Sequence, residues 1–267
     1  MKYDLFVSDF DGTLGVAPGF INDETVSSVK KYIDKGGKFV ICTGRMFASI
    51  RRICIKYDLK GIVISYQGAL INDVETGKTL FEGGLDPLVA AEVVEKLKKE
   101  NVQTIADIDD VMYCDRSSDY LDYYLKAVDV GAEKVADLAE YVRNSCKKVQ
   151  KVGAMCEPTV AAAITEKFSA EYGDKLIINN GAPQLVEIIN PECSKGFAVR
   201  FLSDYYGIPF DKIIAVGDST NDIELLKGDW HGVAVGDARE ELKAVADEIT
   251  VGFGSNPVKT LLEKYCL

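Results

Sequence analysis

Two aspartates stand two positions apart in Val7-Ser8-Asp9-Phe10-Asp11-Gly12-Thr13-Leu14, directly after the apolar run Leu5-Phe6-Val7. The run reads as a short buried strand, and the glycine marks a sharp turn beyond it. Side chains alternate along an extended segment, so positions i and i+2 look the same way. Asp9 and Asp11 can therefore face one pocket at the carboxyl end of the strand. Two like charges that close are costly unless a cation, a proton or hydrogen-bond donors offset them. On spacing alone the pair is equally an Asp-rich turn of the kind that follows many strands. The rest of the chain has to decide between the two.

Three further polar clusters bear on it. Thr43-Gly44-Arg45 follows the apolar run Phe39-Val40-Ile41-Cys42, and Gly217-Asp218-Ser219-Thr220-Asn221-Asp222 follows Ile213–Val216. Lys195 opens a helical stretch. Each has a plain reading by itself: Thr43 and Ser219 suit helix N-caps, and a single lysine is usually solvated. In an open parallel sheet, however, ligands bind outside the carboxyl ends of the strands, and all four clusters fall there. The chemistry that wants this set is phosphoryl transfer. Asp9 and Asp218 supply hard oxygens for Mg²⁺. The metal and Lys195 offset the charge of a phosphate monoester dianion. Backbone N–H groups after the first strand, the Thr43 hydroxyl and the neighbouring Gly44 amide can hold phosphoryl oxygens. A carboxylate can then attack phosphorus to give an aspartyl phosphate. Asp11 can protonate the leaving oxygen and later deprotonate the water that cleaves the acyl phosphate.

The elements that must position these residues fall into two patterns. Asn22 to Lys35 reads as a helix with Asn22 as N-cap, followed by the strand Phe39–Cys42, a helix from about Met46 to Tyr57, and the strand Gly61–Ser65. Alternating apolar strands and helices predict a parallel sheet covered by helices. The middle differs, with strands in pairs. A helix along Leu85, Leu88, Val89, Val93 and Leu97 precedes strands Val102–Ala106 and Val111–Cys114. Helical patterns at Asp119–Val128 and Lys134–Val142 follow, then a strand at Val149–Met155, a helix at Glu157–Tyr172 aligning Val160, Ile164 and Phe168, and strands at Leu176–Ile178 and Gln184–Ile189. This predicts an α+β unit with an antiparallel sheet. From Ser194 the first pattern returns, with a helix over Lys195–Tyr206. The fold class is α/β: a Rossmann-like parallel-sheet core, residues 1–82 and 189–267, split by an inserted α+β domain at 83–188.

Composition narrows the function. The chain has 267 residues and a formal net charge of −11, which argues against a nucleic-acid or anionic-membrane binder, since both need a basic face. Met1-Lys2-Tyr3-Asp4 leads straight into a strand with no signal-sequence pattern. No apolar run approaches the ~20 residues that span a bilayer. The seven cysteines are scattered without a Cys-x-x-Cys pair and read as reduced thiols, which points to the cytoplasm. There is one histidine, His231, in a loop-like context that follows no nucleophile signature. Triads and zinc sites that lean on histidine are thereby disfavoured. Acid–base work falls to carboxylates and metal binding to oxygen ligands.

Taken together and in order, Asp9-Phe10-Asp11-Gly12-Thr13-Leu14, Thr43-Gly44-Arg45, Ser194-Lys195-Gly196 and Gly217-Asp218-Ser219-Thr220-Asn221-Asp222 resemble the four motifs of the haloacid dehalogenase (HAD) superfamily. Across essentially the whole chain the sequence looks like the Cof-type branch, small-molecule phosphatases with a large inserted cap. The resemblance implies Asp9 as nucleophile and metal ligand, and Asp11 as acid/base with its backbone carbonyl on the metal. It implies that Thr43 and Lys195 hold the phosphoryl group, that Asp218 binds Mg²⁺ with Asp222 in support, and that Asn221 reaches the phosphate. It also implies that the insertion is a lid that excludes water and selects the leaving group.

Two departures stand out. Gln67-Gly68-Ala69 occupies the place of a usual Asn-Gly-Ala, and Gly236-Asp237-Ala238 that of Gly-Asn-Ala. The expected substrate is a small phosphorylated metabolite, such as a sugar phosphate or a phosphorylated cofactor. A phosphomutase on the same fold and a non-enzymatic phospho-acceptor domain are the alternatives. The length of the insertion and the presence of Asp11 weigh against the acceptor. Tyr113, Arg116 and Asn180 are candidate specificity residues in the cap, though ordinary surface roles suit them as well.

Overall fold

Leu5, Phe6 and Val7 are fully buried, and the strand they form is paired in parallel on both sides. In this computed structural model, which describes residues 1–267, β1 (Leu5–Ser8) is followed by a two-strand hairpin, β2 (Gly15–Val16) and β3 (Phe20–Ile21). Then come α1 (Asp23–Asp34), β4 (Lys38–Cys42), α2 (Phe47–Tyr57), β5 (Ile62–Ser65), β6 (Leu70–Asp73) and β7 (Thr79–Glu82). Asn22 caps α1, its side chain accepting from the Glu24 N–H at 2.9 Å.

The inserted stretch contains α3 (Pro87–Lys99), β8 (Gln103–Ile108), β9 (Val111–Cys114), α4 (Asp119–Val128), β10 (Ala132–Lys134), α5 (Leu138–Asn144), β11 (Val149–Met155), α6 (Pro158–Tyr172), β12 (Ile177–Ala182) and β13 (Leu185–Ile189). The chain ends with α7 (Lys195–Tyr206), β14 (Ile213–Gly217), α8 (Ile223–Leu226), β15 (His231–Ala234), α9 (Glu240–Lys243), β16 (Glu248–Ile249) and α10 (Pro257–Tyr265).

Two compact units result, Met1–Phe81 with Ser194–Leu267, and Glu82–Cys193. The return to the first unit falls after Cys193, where the sequence pattern placed it after residue 188. Past β13, Asn190 donates its side-chain N–H to the Gly84 carbonyl at 2.8 Å and accepts from the Cys193 N–H through its own carbonyl at 3.0 Å. These bonds keep the turn with the second unit.

The first unit is built on one eight-stranded sheet in the order β16-β15-β14-β1-β4-β5-β6-β7. Its pairs from β16 through β5 are parallel, as the apolar strands predicted. β6 was not read from the sequence and runs antiparallel to β5. β1 lies between β14 and β4, so the loops after these three strands open at one edge, with the β5 turn next to them.

The second unit has a six-stranded sheet, β10-β9-β8-β11-β13-β12. It is antiparallel apart from β10, which pairs in parallel with β9. Lys134 ends β10 and does not begin a helix. α5 starts after Asp137, whose carboxylate accepts from the Glu140 N–H.

Two helices bury Val93 and Leu97, and Ile164 and Phe168, as expected, and depart from their expected faces only in the first turns. In α3, Leu88 and Val89 are exposed and the buried stripe is Ala90, Val93, Val94 and Leu97. In α6, Ala161 takes the buried place expected for Val160. In both, alanine fills a close contact that the larger aliphatic side chains had seemed to claim.

Candidate active site

Asp9 sits one residue past β1, its N–H donating to the Val216 carbonyl at 2.9 Å, and its side chain is buried. The chain then turns: the Phe10 carbonyl accepts from the N–H groups of Leu14 and Gly15 at 3.1 and 2.8 Å. Gly12 has φ +87°, and a Cβ there would lie 2.6 Å from Asp218 Oδ2. Only glycine both adopts this backbone and lets the first loop touch the fourth. Thr13 fixes the same contact, its hydroxyl donating to Asp218 Oδ1 at 3.1 Å.

Lys195 is the first residue of α7, whose N-terminus is capped by the Ser194 hydroxyl accepting from the Phe197 N–H at 3.1 Å. The lysine is buried and donates to Asp9 Oδ1 at 2.6 Å and to Asp222 Oδ1 at 2.5 Å. Asp222 is buried as well. Its other oxygen accepts from the N–H groups of Asp218 and Ser219, both at 3.1 Å, closing a reciprocal cap with Ser219. Both Asp222 oxygens are therefore engaged, and it holds Lys195 and the fourth loop in place. One carboxylate oxygen from each of Asp9, Asp218 and Asp222 lies within 4.8 Å of the others.

The electrostatics follow from that crowding. Burial raises the Asp9 carboxyl well above its ordinary value, the Asp222 charge adds to this, and Lys195 opposes it. Burial also pushes Asp218 up to about 6, helped by Asp222. For Lys195 burial acts downward, but the Asp222 and Asp9 carboxylates outweigh it and hold the ammonium above its usual value. Such a cluster, with more carboxylate than ammonium charge, is suited to a further cation.

Asp11 does not join the three. Extended geometry ends at β1, so the alternation that would have set Asp9 and Asp11 side by side no longer applies beyond it. The Asp11 carboxylate is half exposed and takes a bidentate ion pair with Arg45, Nε to Oδ2 at 2.7 Å and Nη2 to Oδ1 at 2.6 Å. Arg45 is itself buried. Its Nη1 donates to the Pro18 carbonyl at 3.0 Å, and its guanidinium lies 4.8 Å from the centre of the Phe10 ring. Arg45 was named within its cluster from the sequence but was given no role of its own. The signal was there, a fixed cation inside a motif whose neighbours carry paired acids.

Thr43 and Gly44 stand at the end of β4. The Thr43 hydroxyl accepts from the Arg45 N–H at 3.2 Å, which leaves its own proton to be donated. Asn221 lies in the short turn after β14, and its side-chain N–H donates to Gln67 Oε1 at 3.4 Å. Thus Asp9, Lys195, Asp218 and Asp222 form one connected cluster. Asp11 pairs with Arg45, and Asn221 meets Gln67.

The remaining sequence candidates take structural places. His231 begins β15, stacks on Tyr3 and lies 3.0 Å from Glu248 Oε2. Burial pushes the Cys42 thiol far up, so it stays protonated. Asp237 accepts from the Phe253 N–H at 3.0 Å. In the second unit Tyr113 packs on Tyr141, Arg116 donates to Asn101 Oδ1 and the Val102 carbonyl, and Asn180 donates to the Leu185 carbonyl.

A model of the haloacid dehalogenase-like hydrolases matches residues 6–258. The chain belongs to this family. It is 29% identical over 280 residues to the protein called endoribonuclease YBEY, chloroplastic, of Arabidopsis thaliana. That match takes in 99% of this chain and 47% of the Arabidopsis protein, so the chain spans about half its length. It is 27% identical over 269 residues to 5-amino-6-(5-phospho-D-ribitylamino)uracil phosphatase YitU of Bacillus subtilis, covering 98% and 97% of the two chains. The crystal structure of TM0651 from Thermotoga maritima superposes with a TM-score of 0.84 at 26% identity, over 98% of this chain and 97% of that one. This haloacid dehalogenase-like hydrolase is an enzyme of the Cof type anticipated from its motifs. No helix in it is long and apolar enough to cross a membrane.

Proposed function

We propose that this hydrolase is a Mg²⁺-dependent phosphatase that cleaves small phosphate monoesters through an aspartyl phosphate on Asp9. The observation that carries the reading is the buried Lys195 bridging Asp9 and Asp222 beside Asp218, at the edge where the β1, β4 and β14 loops open. The donor set is all hard oxygen, and its three carboxylates carry more negative charge than the single Lys195 ammonium offsets. Asp9 and Asp218, with the Asp11 main-chain carbonyl, would hold Mg²⁺, and Asp222 would support them. The ion would supply charge neutralisation for the incoming dianion and the pentacoordinate phosphoryl group.

The chain's own residues do the rest. Lys195 holds Asp9 Oδ1, which leaves Oδ2 as the oxygen that attacks phosphorus. Lys195, the Thr43 hydroxyl, the Gly44 amide and the Asn221 amide hold the phosphoryl oxygens. As the phosphorus–oxygen bond to the leaving group breaks, Asp11 gives that oxygen a proton. Asp11 then takes a proton from a water molecule, whose oxygen attacks the aspartyl phosphate, restoring Asp9 and releasing inorganic phosphate. The inserted unit, which in chain order stands where the family has its cap, governs the choice of leaving group. The Bacillus relative named for a phosphoribityl substrate favours a phosphorylated sugar-like or cofactor-like compound.

The test is hydrolysis of p-nitrophenyl phosphate with Mg²⁺ and with excess chelator, on wild type and Asp9→Asn. Turnover should require Mg²⁺, and Asp9→Asn should abolish it without changing the melting temperature. Full turnover in chelator would remove the metal, and an active Asp9→Asn would remove the nucleophile. With a natural substrate, isomerisation without release of phosphate would make the enzyme a mutase.

A further inference from the structure

The turn after β5 is unusual. Tyr66, Gln67 and Gly68 all have positive φ, at 50°, 59° and 115°. Two successive non-glycine residues in this region are strained, and such strain persists only where surrounding contacts enforce it. Here the contacts lead to the site. The Tyr66 N–H donates to the Arg45 carbonyl at 3.1 Å and the Gln67 N–H to the Thr43 carbonyl at 3.0 Å. The strained turn is thus stitched to the Thr43-Gly44-Arg45 loop.

The Gln67 side chain then runs on. It is buried, and its amide lies against the Gly44 Cα so closely that a Cβ on Gly44 would overlap Gln67 Nε2. Its Oε1 accepts from Asn221 Nδ2 at 3.4 Å. β5 and β14 are three strand spacings apart in the sheet, which is about 14 Å at roughly 4.8 Å per spacing. Only an inward-leaning turn and a long side chain close that span. An asparagine at 67 would fall one methylene, about 1.5 Å, short of a contact that is already long.

This bond is also what orients Asn221. Its Nδ2 has Gln67 as partner, while its Oδ1 is buried with no hydrogen-bond partner. Oδ1 gains nothing from the observed orientation, so the choice rests on Nδ2. Turning the amide over would set two carbonyl oxygens against each other. We infer that Gln67 is a positioning residue for phosphoryl binding: it fixes the Asn221 amide with its second N–H presented to a phosphoryl oxygen, and braces the Gly44 side of the same cradle. The inference rests on the phosphatase reading.

A double-mutant cycle on product inhibition tests it, with inorganic phosphate as the probe, Mg²⁺ present and p-nitrophenyl phosphate as the reporter. Asn221→Ala should raise the inhibition constant for phosphate about tenfold and Gln67→Asn about fivefold, the range of one lost hydrogen bond. Gln67→Asn suits the left-handed backbone, and its melting temperature should match wild type. Gln67→Met, which keeps the length and loses the acceptor, should give the same weakening. In the Asn221→Ala background neither change should weaken phosphate further. A wild-type inhibition constant in both Gln67 variants, or losses that multiply in the double variants, would overturn the inference. A wild type that neither turns over the ester nor is inhibited by phosphate would instead overturn the phosphatase reading beneath it.

Discussion

Each unit of this protein buries one lysine between two carboxylates, and only one of the two lies where chemistry can reach it. Lys195, in the first unit, bridges Asp9 and Asp222. Lys151, in the second, donates to Glu187 Oε1 at 2.9 Å, lies 3.7 Å from Asp107 Oδ2 and reaches the Tyr124 hydroxyl at 3.4 Å. For both, burial acts downward and the neighbouring acids prevail, holding the ammonium above its usual value.

The surroundings differ. Lys151 is in the middle of β11, in register with Asp107 on β8 and next to β13, which carries Glu187. Around Lys195 are loops, and their backbone N–H groups saturate Asp222. Neither Asp107 oxygen has a hydrogen bond. A buried lysine with two acids is therefore a packing solution that a sheet can also use. What favours the first cluster as the proposed site is its place at the strand ends, the half-buried Asp218 beside it, and donors held on loops.

The same substitution at both lysines gives the largest contrast. Lys195→Met should cost about 10³-fold in kcat, on the scale of losing a preorganised charged donor. Lys151→Met should leave kcat of the folded enzyme for p-nitrophenyl phosphate near wild type, yet lower stability by about 3–5 kcal/mol, because two buried carboxylates lose their cation. Steady-state kinetics and urea unfolding on both variants check the pair. A Lys151→Met enzyme that is stable but inactive would put chemistry in the second cluster too.

What the sequence shows of these clusters depends on how far apart their partners are. Asp9, Thr43, Lys195 and Asp218 were legible because each follows an apolar strand or opens a helix, and a parallel sheet gathers strand ends at one edge. Asn22 and the span Asp119–Val128 were legible from local capping and periodicity. Lys151 was not. In Val149-Gln150-Lys151-Val152 a lysine is solvated by default, and its burial depends on acids 44 residues before it and 36 after, at Asp107 and Glu187. The Arg45 grip on Asp11 spans 34 residues and forms only because the chain leaves strand geometry at Asp9. β2 and β3 have two residues each, too few to show a period, and β6 follows a turn whose left-handed Tyr66 no composition rule announces.

A smaller effect separates the fixed acid from the fixed base in the first unit. Arg45 holds Asp11 with two parallel bonds, and lysine keeps the charge but loses the fork. Arg45→Lys should lower kcat about tenfold, the cost of a misdirected acid/base. In an Asp11→Asn background, already severely slowed, it should change nothing further. Multiplying losses would mean that Arg45 acts on the phosphoryl group directly, and Asp11 would lose its positioning partner.

The smallest expected effect concerns the acid that the second unit leaves unbonded. Burial pushes Asp107 up to about 7, with Glu187 adding to it and Lys151 opposing. In the unfolded chain its carboxyl returns to the ordinary value of 3.8. Between about pH 4 and pH 7 the folded protein thus keeps a proton that the unfolded chain has released, and stability falls as pH rises through that window. Above about pH 7 both states are ionised and the cost is fully present. Asp107→Asn removes the group and with it this slope, while Lys151 keeps Glu187. The melting temperature of Asp107→Asn relative to wild type should therefore climb by a few degrees from pH 5 to pH 8, at roughly 2–4 °C per kcal/mol for a chain of this size. Asp222→Asn, at the matching place in the first cluster, should instead lower the melting temperature, since an amide has one acceptor oxygen where the carboxylate uses two, and either Lys195 or the Asp218 and Ser219 N–H groups lose theirs. A constant Asp107→Asn difference across the range would mean that Asp107 is ionised throughout and that Lys151 pairs with it across the 3.7 Å that separates them.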